Sequence, residues 1–228
     1  MKKAIAMVTC DDKLAGTIDD RIFYDAIQAR GHKVCFCSWT DESIDWSRFD
    51  LVLIRSTWDY YRKIQAYLDW AKRVSSLTNL VNPLAVILWN SSKNYLLHLE
   101  KNGIPIVPTI VAGSFQDAYK AADDLIAIHQ KIVVKPAISA AADLTYLVCH
   151  IENLPSAILK ILERGQVLLQ PYFEAVCISG EVSLMFFGKE NSFQYSHAVL
   201  KKPMSDDFRV QVDFGGTVEG IKAPGSLI

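Results

Sequence analysis

The sequence carries no surplus of either charge: 24 Lys and Arg stand against 25 Asp and Glu in 228 residues. Without a basic excess there is no electrostatic footprint for nucleic acid or for an anionic membrane, so neither is expected as a partner. Long apolar runs are missing too. The run behind the basic N-terminal residues, Ala4–Val8, is five residues long, against the roughly 7–15 of a signal-peptide core. Nothing approaches the roughly 20 residues of a membrane-spanning helix, and a soluble, cytoplasmic protein is expected. No G-x-G-x-x-G is present, which leaves a dinucleotide site unsupported. Cysteines are few: Cys10, Cys35, Cys37, Cys149 and Cys177. Cys35 and Cys37 alternate in an apolar run and face one way, but no second Cys/His pair stands at zinc-ligand spacing. Buried free thiols are expected there, with no metal ligand assigned in the chain. Internal repeats and low-complexity segments are absent as well.

What is present is apolar: 50% of the residues, with 21% charged. That suffices for one large or two modest α/β domains. The first eighty residues alternate strand and helix. Lys3–Val8, Lys33–Trp39 and Asp50–Ser56 read as strands. Between the first two, Thr17 and Asp20 form a capping box for a helix with Ile18, Ile22, Ala26 and Ile27 as its apolar stripe and Gly31 as its stop. Short apolar strands separated by helices predict a small parallel sheet. In such sheets ligands bind beyond the carboxyl ends of the strands, where "RSTWDYYRK" (55–63) falls. Arg55, Asp59 and Tyr60 are therefore candidate substrate contacts; a surface Arg–Asp pair beside packing aromatics is the equally weighted alternative.

From Leu84 the texture changes. "WNSSKNYLLHLEKNGIPIVPT" (89–109) predicts a helix capped at Asn90 or Ser91 and stopped at Gly103, which puts Lys93 in its first turn. A cation there is unfavourable by roughly 0.3–1 kcal/mol unless an anion shares the helix end. Ser114 and Asp117 open a further helix. Lys131–Pro136 reads as a strand whose Lys135 shares a face with Val133, and an intramolecular acid or an anionic ligand is expected opposite it. The following loop, Ala137–Asp143, holds small residues, Ser139 among them. Leu154–Arg164 reads as helix and Gln166–Phe173 as a parallel-type strand. A hairpin then turns near Gly188–Asn191, and Phe208–Asp213 alternates like a third strand.

In order and spacing these pieces resemble the ATP-grasp superfamily, in which two α+β subdomains clamp ATP and a carboxylate substrate is activated as an acylphosphate. The resemblance covers roughly residues 84–220. It rests on "LEKNGIPIVPT", on "IVVKPAISA", and on "LLQPYF…GEVSL" paired with "HAVLKKP…DFRVQ…GGTVE". The "RSTWDY" and "SHAV" stretches are similar to the subgroup that contains O-ureido-D-serine cyclo-ligase. The fold class implied is α/β plus α+β: a small parallel-sheet domain over 1–85, then an ATP-grasp domain over 86–228. The activity implied is that of an ATP-dependent carboxylate–amine or cyclising ligase, using ATP and Mg²⁺ on a small amino-acid-like or carboxylate substrate. A non-catalytic nucleotide-binding or interaction module on the same architecture is the competing reading.

The resemblance also implies roles. Lys93, Lys135 and Ser139 would hold ATP phosphates; Gln170, Pro171, Tyr172 and Phe173 would frame adenine, largely through backbone; Glu181 would take the ribose. Lys201 and Arg209 would face the charge that gathers during phosphoryl transfer. Gly215 and Gly216 would bring backbone N–H groups to the same anion, with His197 nearby as a substrate contact. The alternative for this last stretch is an exposed basic strand edge. The superfamily's later acidic metal ligands have no match: after Gly216 the one acid is Glu219. Mg²⁺ ligands are expected beyond the end of the chain, turnover by these residues alone is not expected, and an open strand edge is expected to favour a homodimer.

Overall fold

The computed structural model describes residues 1–189, 192–223 and 225. It forms two compact units, Met1–Ile106 with Ala137–Ala140, and Val107–Pro136 with Ala141–Ile228.

In the first unit the strand β1 (Ala4–Thr9) is buried from Ile5 onward, as a central strand covered on both faces must be. It pairs in parallel with β2 (Lys33–Ser38) and β3 (Leu51–Ile54), and β3 pairs with β4 (Leu80–Val81), giving the order β2-β1-β3-β4. The expected parallel sheet is present. The helix α1 (Ile18–Ala29) starts on the capping box: Asp20 N–H donates to Thr17 Oγ1 and Thr17 N–H to Asp20 Oδ2, both at 3.1 Å. Gly31, at φ +81°, supplies the left-handed residue past its end. The buried stripe of α1 differs from the expected one. Ile18 and Ile22 are exposed at 83% and 66%, while Asp20 and Ile27 are buried and Tyr24 packs beside Ile27. The helix is rotated so that the Asp20 carboxylate enters the structure.

On the other sheet face lies α2 (Ile64–Leu77), whose Tyr67, Trp70, Ala71 and Val74 bury against Ala6, Val8 and Val52. Trp70 meets Trp39 and Trp46 edge-on, with ring centroids 6.4 and 5.5 Å apart. All five tryptophans of the chain, Trp39, Trp46, Trp58, Trp70 and Trp89, belong to this unit. Two short helices follow, α3 (Leu84–Asn90) and α4 (Tyr95–Lys101), separated by the turn 91–94. Lys93 thus precedes α4 instead of standing in its first turn. Its N–H donates to the Ala137 carbonyl at 2.7 Å, and that bond takes the backbone out of helical register.

The second unit begins with β5 (Ile110–Ala112) and α5 (Phe115–His129), the latter capped by Ser114, which accepts from Asp117 N–H. Then come β6 (Ile132–Pro136), β7 (Tyr146–Val148), α6 (Leu154–Leu162) and β8 (Val167–Pro171). The sheet order is β5-β8-β6-β7, and β8 runs antiparallel to both neighbours, not parallel as its sequence suggested. Ile132, Val134, Val167 and Leu169 bury one face against Ala118, Ala122, Leu154, Ile158 and Ile161 of α5 and α6. A period of two then sends Val133, Lys135, Leu168 and Gln170 to the other face.

After the short α7 (Ala175–Ser179), β9 (Glu181–Lys189) and β10 (Ser192–Lys202) form the expected hairpin. Part of its turn near Gly188–Asn191 falls outside the described residues. The third strand is β11 (Thr217–Ile221), giving β11-β10-β9. Phe208–Asp213 is not a strand, despite its alternation. The Asp207 carboxylate accepts from the N–H groups of Phe208 and Arg209 at 2.7 and 2.9 Å, so those donors are unavailable to a ladder. A 3₁₀ turn, Val212–Phe214, follows. Among the described residues no helix is long and apolar enough to cross a bilayer.

Candidate functional site

In the first unit the carboxyl ends of β3 and β4 open onto a cavity of about 210 Å³ lined by Thr57, Tyr60, Tyr67, Asn82, Asn90 and Ser91 together with Ile54 and Ile87. Burial pushes the phenols of Tyr60 and Tyr67 up from their ordinary range. Thr57 and Tyr67 share a hydrogen bond across 3.4 Å. The walls are aromatic and aliphatic, with hydroxyl and amide groups at fixed points, the composition of a small-molecule site. Of the three substrate contacts expected here, only Tyr60 lines the cavity.

Arg55 turns to Asp20 instead, with Nε 2.8 Å from Oδ1, and Asp59 accepts from Trp39 Nε1 at 2.8 Å. The sequence offered Asp59 as the partner of Arg55. Asp20 was overlooked because the capping box already accounted for it. The Asp20 carboxyl is pushed up by burial, but the Ser56 hydroxyl, the Thr17 backbone N–H and the Arg55 guanidinium outweigh this and hold it below the usual carboxylate range.

The turn 91–94 presents Lys93 to the loop that follows β6. The ammonium donates to the Ser139 carbonyl at 2.7 Å and to its hydroxyl at 3.0 Å. Lys93 and Ser139, assigned to one role on sequence grounds, do come together, both within the first unit.

In the second unit Lys135 projects from β6 away from the helices. Desolvation pulls its pKa down from the ordinary lysine value, and the Glu181 carboxylate pushes the other way. Among the described residues its ammonium has no hydrogen bond or ion pair. Glu181 opens β9 directly across from Lys201 of β10, and the two form an ion pair at 3.2 Å. Beside them runs the crossover 170–173. Gln170 donates to Thr109 Oγ1 at 2.8 Å, and Tyr172 N–H donates to the Lys131 carbonyl at 3.0 Å. The Phe173 N–H and the Tyr172 carbonyl have no partner among the described residues. Lys131 pairs with Glu174 at 2.8 Å and lies over the Tyr172 ring.

Arg209 is held tightly. Its guanidinium clasps both Asp207 oxygens, at 2.9 and 2.6 Å for the shortest contact to each, and stacks over Phe214 at 3.5 Å from the ring centroid. The same contact holds the Asp207 carboxyl far down, at about 2. Gly215 and Gly216 do not offer N–H groups to an anion: these donate to the carbonyls of Val212 and Gln211, at 2.9 and 3.1 Å. His197 is exposed at a bulge in β10, with Nδ1 3.0 Å from Ser196 Oγ.

A parallel α/β unit followed by two antiparallel sheets is the layout of the ATP-grasp fold, and solved structures share it. D-cycloserine synthetase DcsG superposes with a TM-score of 0.85 at 29% identity, over 98% of this chain and 76% of that one. An ATP-grasp RimK-domain protein of Sphaerobacter thermophilus shares the fold at a TM-score of 0.62 and 20% identity, over 80% of this chain and 68% of that one. The chain has the ATP-grasp fold. Residues 5–82 match the D-cycloserine synthetase DcsG N-terminal domain family. The cycloserine biosynthesis protein DcsG of Streptomyces lavendulae is 33% identical over 206 residues, 88% of this chain and 68% of that protein. The chain belongs to the DcsG family.

Proposed function

We propose that the chain binds ATP and activates the carboxylate of a small, amino-acid-like substrate as an acylphosphate, which an amine, intramolecular or from a second substrate, then displaces. The observation that carries this reading is Lys135. A desolvated ammonium without a hydrogen-bond partner among the described residues is costly unless an anion completes it. Phosphate oxygens are such an anion, and Lys201 adds a second cation close by. Glu181, already at the edge of this group, is the acceptor for ribose hydroxyls.

The crossover supports the adenine assignment in a specific way. The Phe173 N–H and the Tyr172 carbonyl are an adjacent donor and acceptor, the complement of an adenine edge that presents one acceptor and one amino donor. Lys93 with Ser139 is the phosphate contact proposed for the first unit, and the Tyr60 cavity is the proposed seat of the amino-acid-like substrate. Mg²⁺ is expected to accompany the nucleotide. Among the described residues no three His, Cys, Asp or Glu side chains gather into a metal site.

Lys135→Met tests the assignment, because the replacement keeps the length and apolar stem and removes the charge. ADP affinity by calorimetry is expected to fall at least about tenfold, the scale of one lost charge-assisted contact of about 1.4–3 kcal/mol. Thermal stability is expected to stay level or rise, since a desolvated cation is removed. Undiminished ADP binding by a folded variant would overturn the assignment.

A further inference from the structure

The ligase reading leaves two thiols of β2 without a task. Cys35 and Cys37 stand at alternate positions of the strand and project from the same face, with their sulfurs 3.7 Å apart. Cys35 is exposed, whereas Cys37 is 7% exposed, in the core beside Trp39. The strand that carries them is a sheet edge, paired among the described residues with β1 alone. Such an edge can twist locally without breaking ladders on two sides. The two thiols are also unlike in acidity. The two sulfurs share a hydrogen bond that either can donate; given by Cys37, it stabilises the Cys35 thiolate and brings the Cys35 thiol down to about 7. Cys37 is pushed up by the same hydrogen bond and by burial. An accessible thiolate beside a protonated second thiol is the arrangement of a thiol that reacts with oxidants and is then resolved.

We propose that Cys35 and Cys37 form an oxidation site in which Cys35 attacks a hydroperoxide and Cys37 resolves the product as a reversible intrachain disulfide. In the first step the Cys35 thiolate takes the terminal oxygen of the peroxide and the O–O bond breaks. The departing alkoxide or hydroxide takes up a proton, and Cys35 is left as a sulfenic acid. In the second step the Cys37 sulfur bonds to the Cys35 sulfur, the S–O bond breaks, and the hydroxyl leaves as water with the Cys37 proton. Two residues of strand separate the Cα atoms by about 6.6–6.8 Å, the upper end of the roughly 4.4–6.8 Å span that a disulfide tolerates. The bond forms with strain, and strained disulfides are readily reduced. Cys149 and Cys177 are exposed as well, yet neither has a neighbouring thiol among the described residues. They are exposed thiols without a resolving partner, each within the field of the Lys131 ammonium.

The test uses the full chain. Iodoacetamide at pH 7 is expected to alkylate Cys35 about threefold faster in the full chain than in Cys37→Ala, which lacks the hydrogen-bond partner of the Cys35 sulfur. The lower nucleophilicity of a more acidic thiolate takes back part of the gain. With hydrogen peroxide below one equivalent, the peptide containing Cys35 and Cys37 is expected to lose two hydrogens in mass and to recover them with dithiothreitol. In Cys37→Ala the oxidation is expected to stop at a Cys35 sulfenic acid that a cyclic 1,3-dione labels. Cys35→Ser, a change at an exposed position, is expected to abolish both products. Equal alkylation of Cys35 in the parent and in Cys37→Ala would overturn the proposal. So would oxidation of Cys35 to the sulfinic acid in the parent without linkage, or peroxide consumption centred on Cys149 or Cys177.

Discussion

The Asp20 carboxylate closes the cap of α1 and, with the same two oxygens, receives Ser56 and Arg55. Half of this was legible: threonine followed three residues later by an acid is a local signal. The other half joins positions 35 residues apart, and nothing local announces it. The pairing has a pH consequence. The folded chain holds Asp20 below its ordinary value of 3.8, so the unfolded chain takes up the proton at higher pH than the folded chain does. The stabilisation is complete above that ordinary value and is lost as pH falls through the lower, folded one. Asp20→Asn is expected to lower stability by about 2–3 kcal/mol at neutral pH, the range for hydrogen bonds to a buried charge, and to flatten the acid limb of stability against pH. Urea unfolding between pH 3 and 7 measures both; an unchanged acid limb would exclude Asp20 as its source. Lys135 was legible for a different reason. Strand alternation put it on the face of Val133, and a lysine there needs an anion whatever the tertiary details. The expectation that Lys93 stands in the first turn of a helix failed: an irregular turn carries it and delivers it to Ser139.

At the scale of elements, period-two and period-3.6 patterns located β1–β3, α1, α5, β6, α6, β8 and the β9–β10 hairpin. They passed over α2, lost Lys93 where its N–H turns to the Ala137 carbonyl, and misread a segment in which a side chain takes over the backbone's hydrogen bonds. The stretch 208–213 alternates as a strand does, yet Asp207 gathers its first N–H groups and Arg209 with them. The segment then has to close tightly. Gly215 adopts φ +79°, and a Cβ on Gly216 would run into the Val210 carbonyl and lie 2.9 Å from that of Gln211. Neither obstacle is a flexible side-chain end, so relief requires the main chain to move. Gly216→Ala is therefore expected to cost about 1–3 kcal/mol, as overpacking does, and to displace Arg209 from Phe214. Thermal melts and a urea titration check the first. A variant as stable as the parent would show that the loop is looser than its contacts imply. The role expected for the glycine pair was inverted for the same reason: their N–H groups close the loop and are not free to meet an anion.

At the scale of the molecule, what the sequence conveyed was order. A strand–helix alternation, a lysine strand, a crossover and a hairpin follow one another as in the ATP-grasp class, and the measured likeness to DcsG spans 98% of the chain. What it could not convey was where each core closes. The Trp39–Trp46–Tyr67–Trp70 cluster and the Ile132–Leu169 cluster are separate interiors, and the residues of the cavity are drawn from β3, the segment after it, α2, the residue past the end of β4, and α3 with the residue that follows it. The placement of the tryptophans has an optical corollary. Every indole chromophore sits in the unit that holds the cavity, and Tyr67 on the cavity wall lies 5.5 Å from Trp70 and 5.3 Å from Trp39, centroid to centroid. Intrinsic emission excited at the red edge of the indole band thus belongs to the first unit alone, a native dye that needs no labelling. An amino acid seated against Tyr60 and Tyr67 is expected to change that emission saturably without nucleotide. Amino acids that bind by calorimetry yet leave the emission untouched would place the substrate elsewhere.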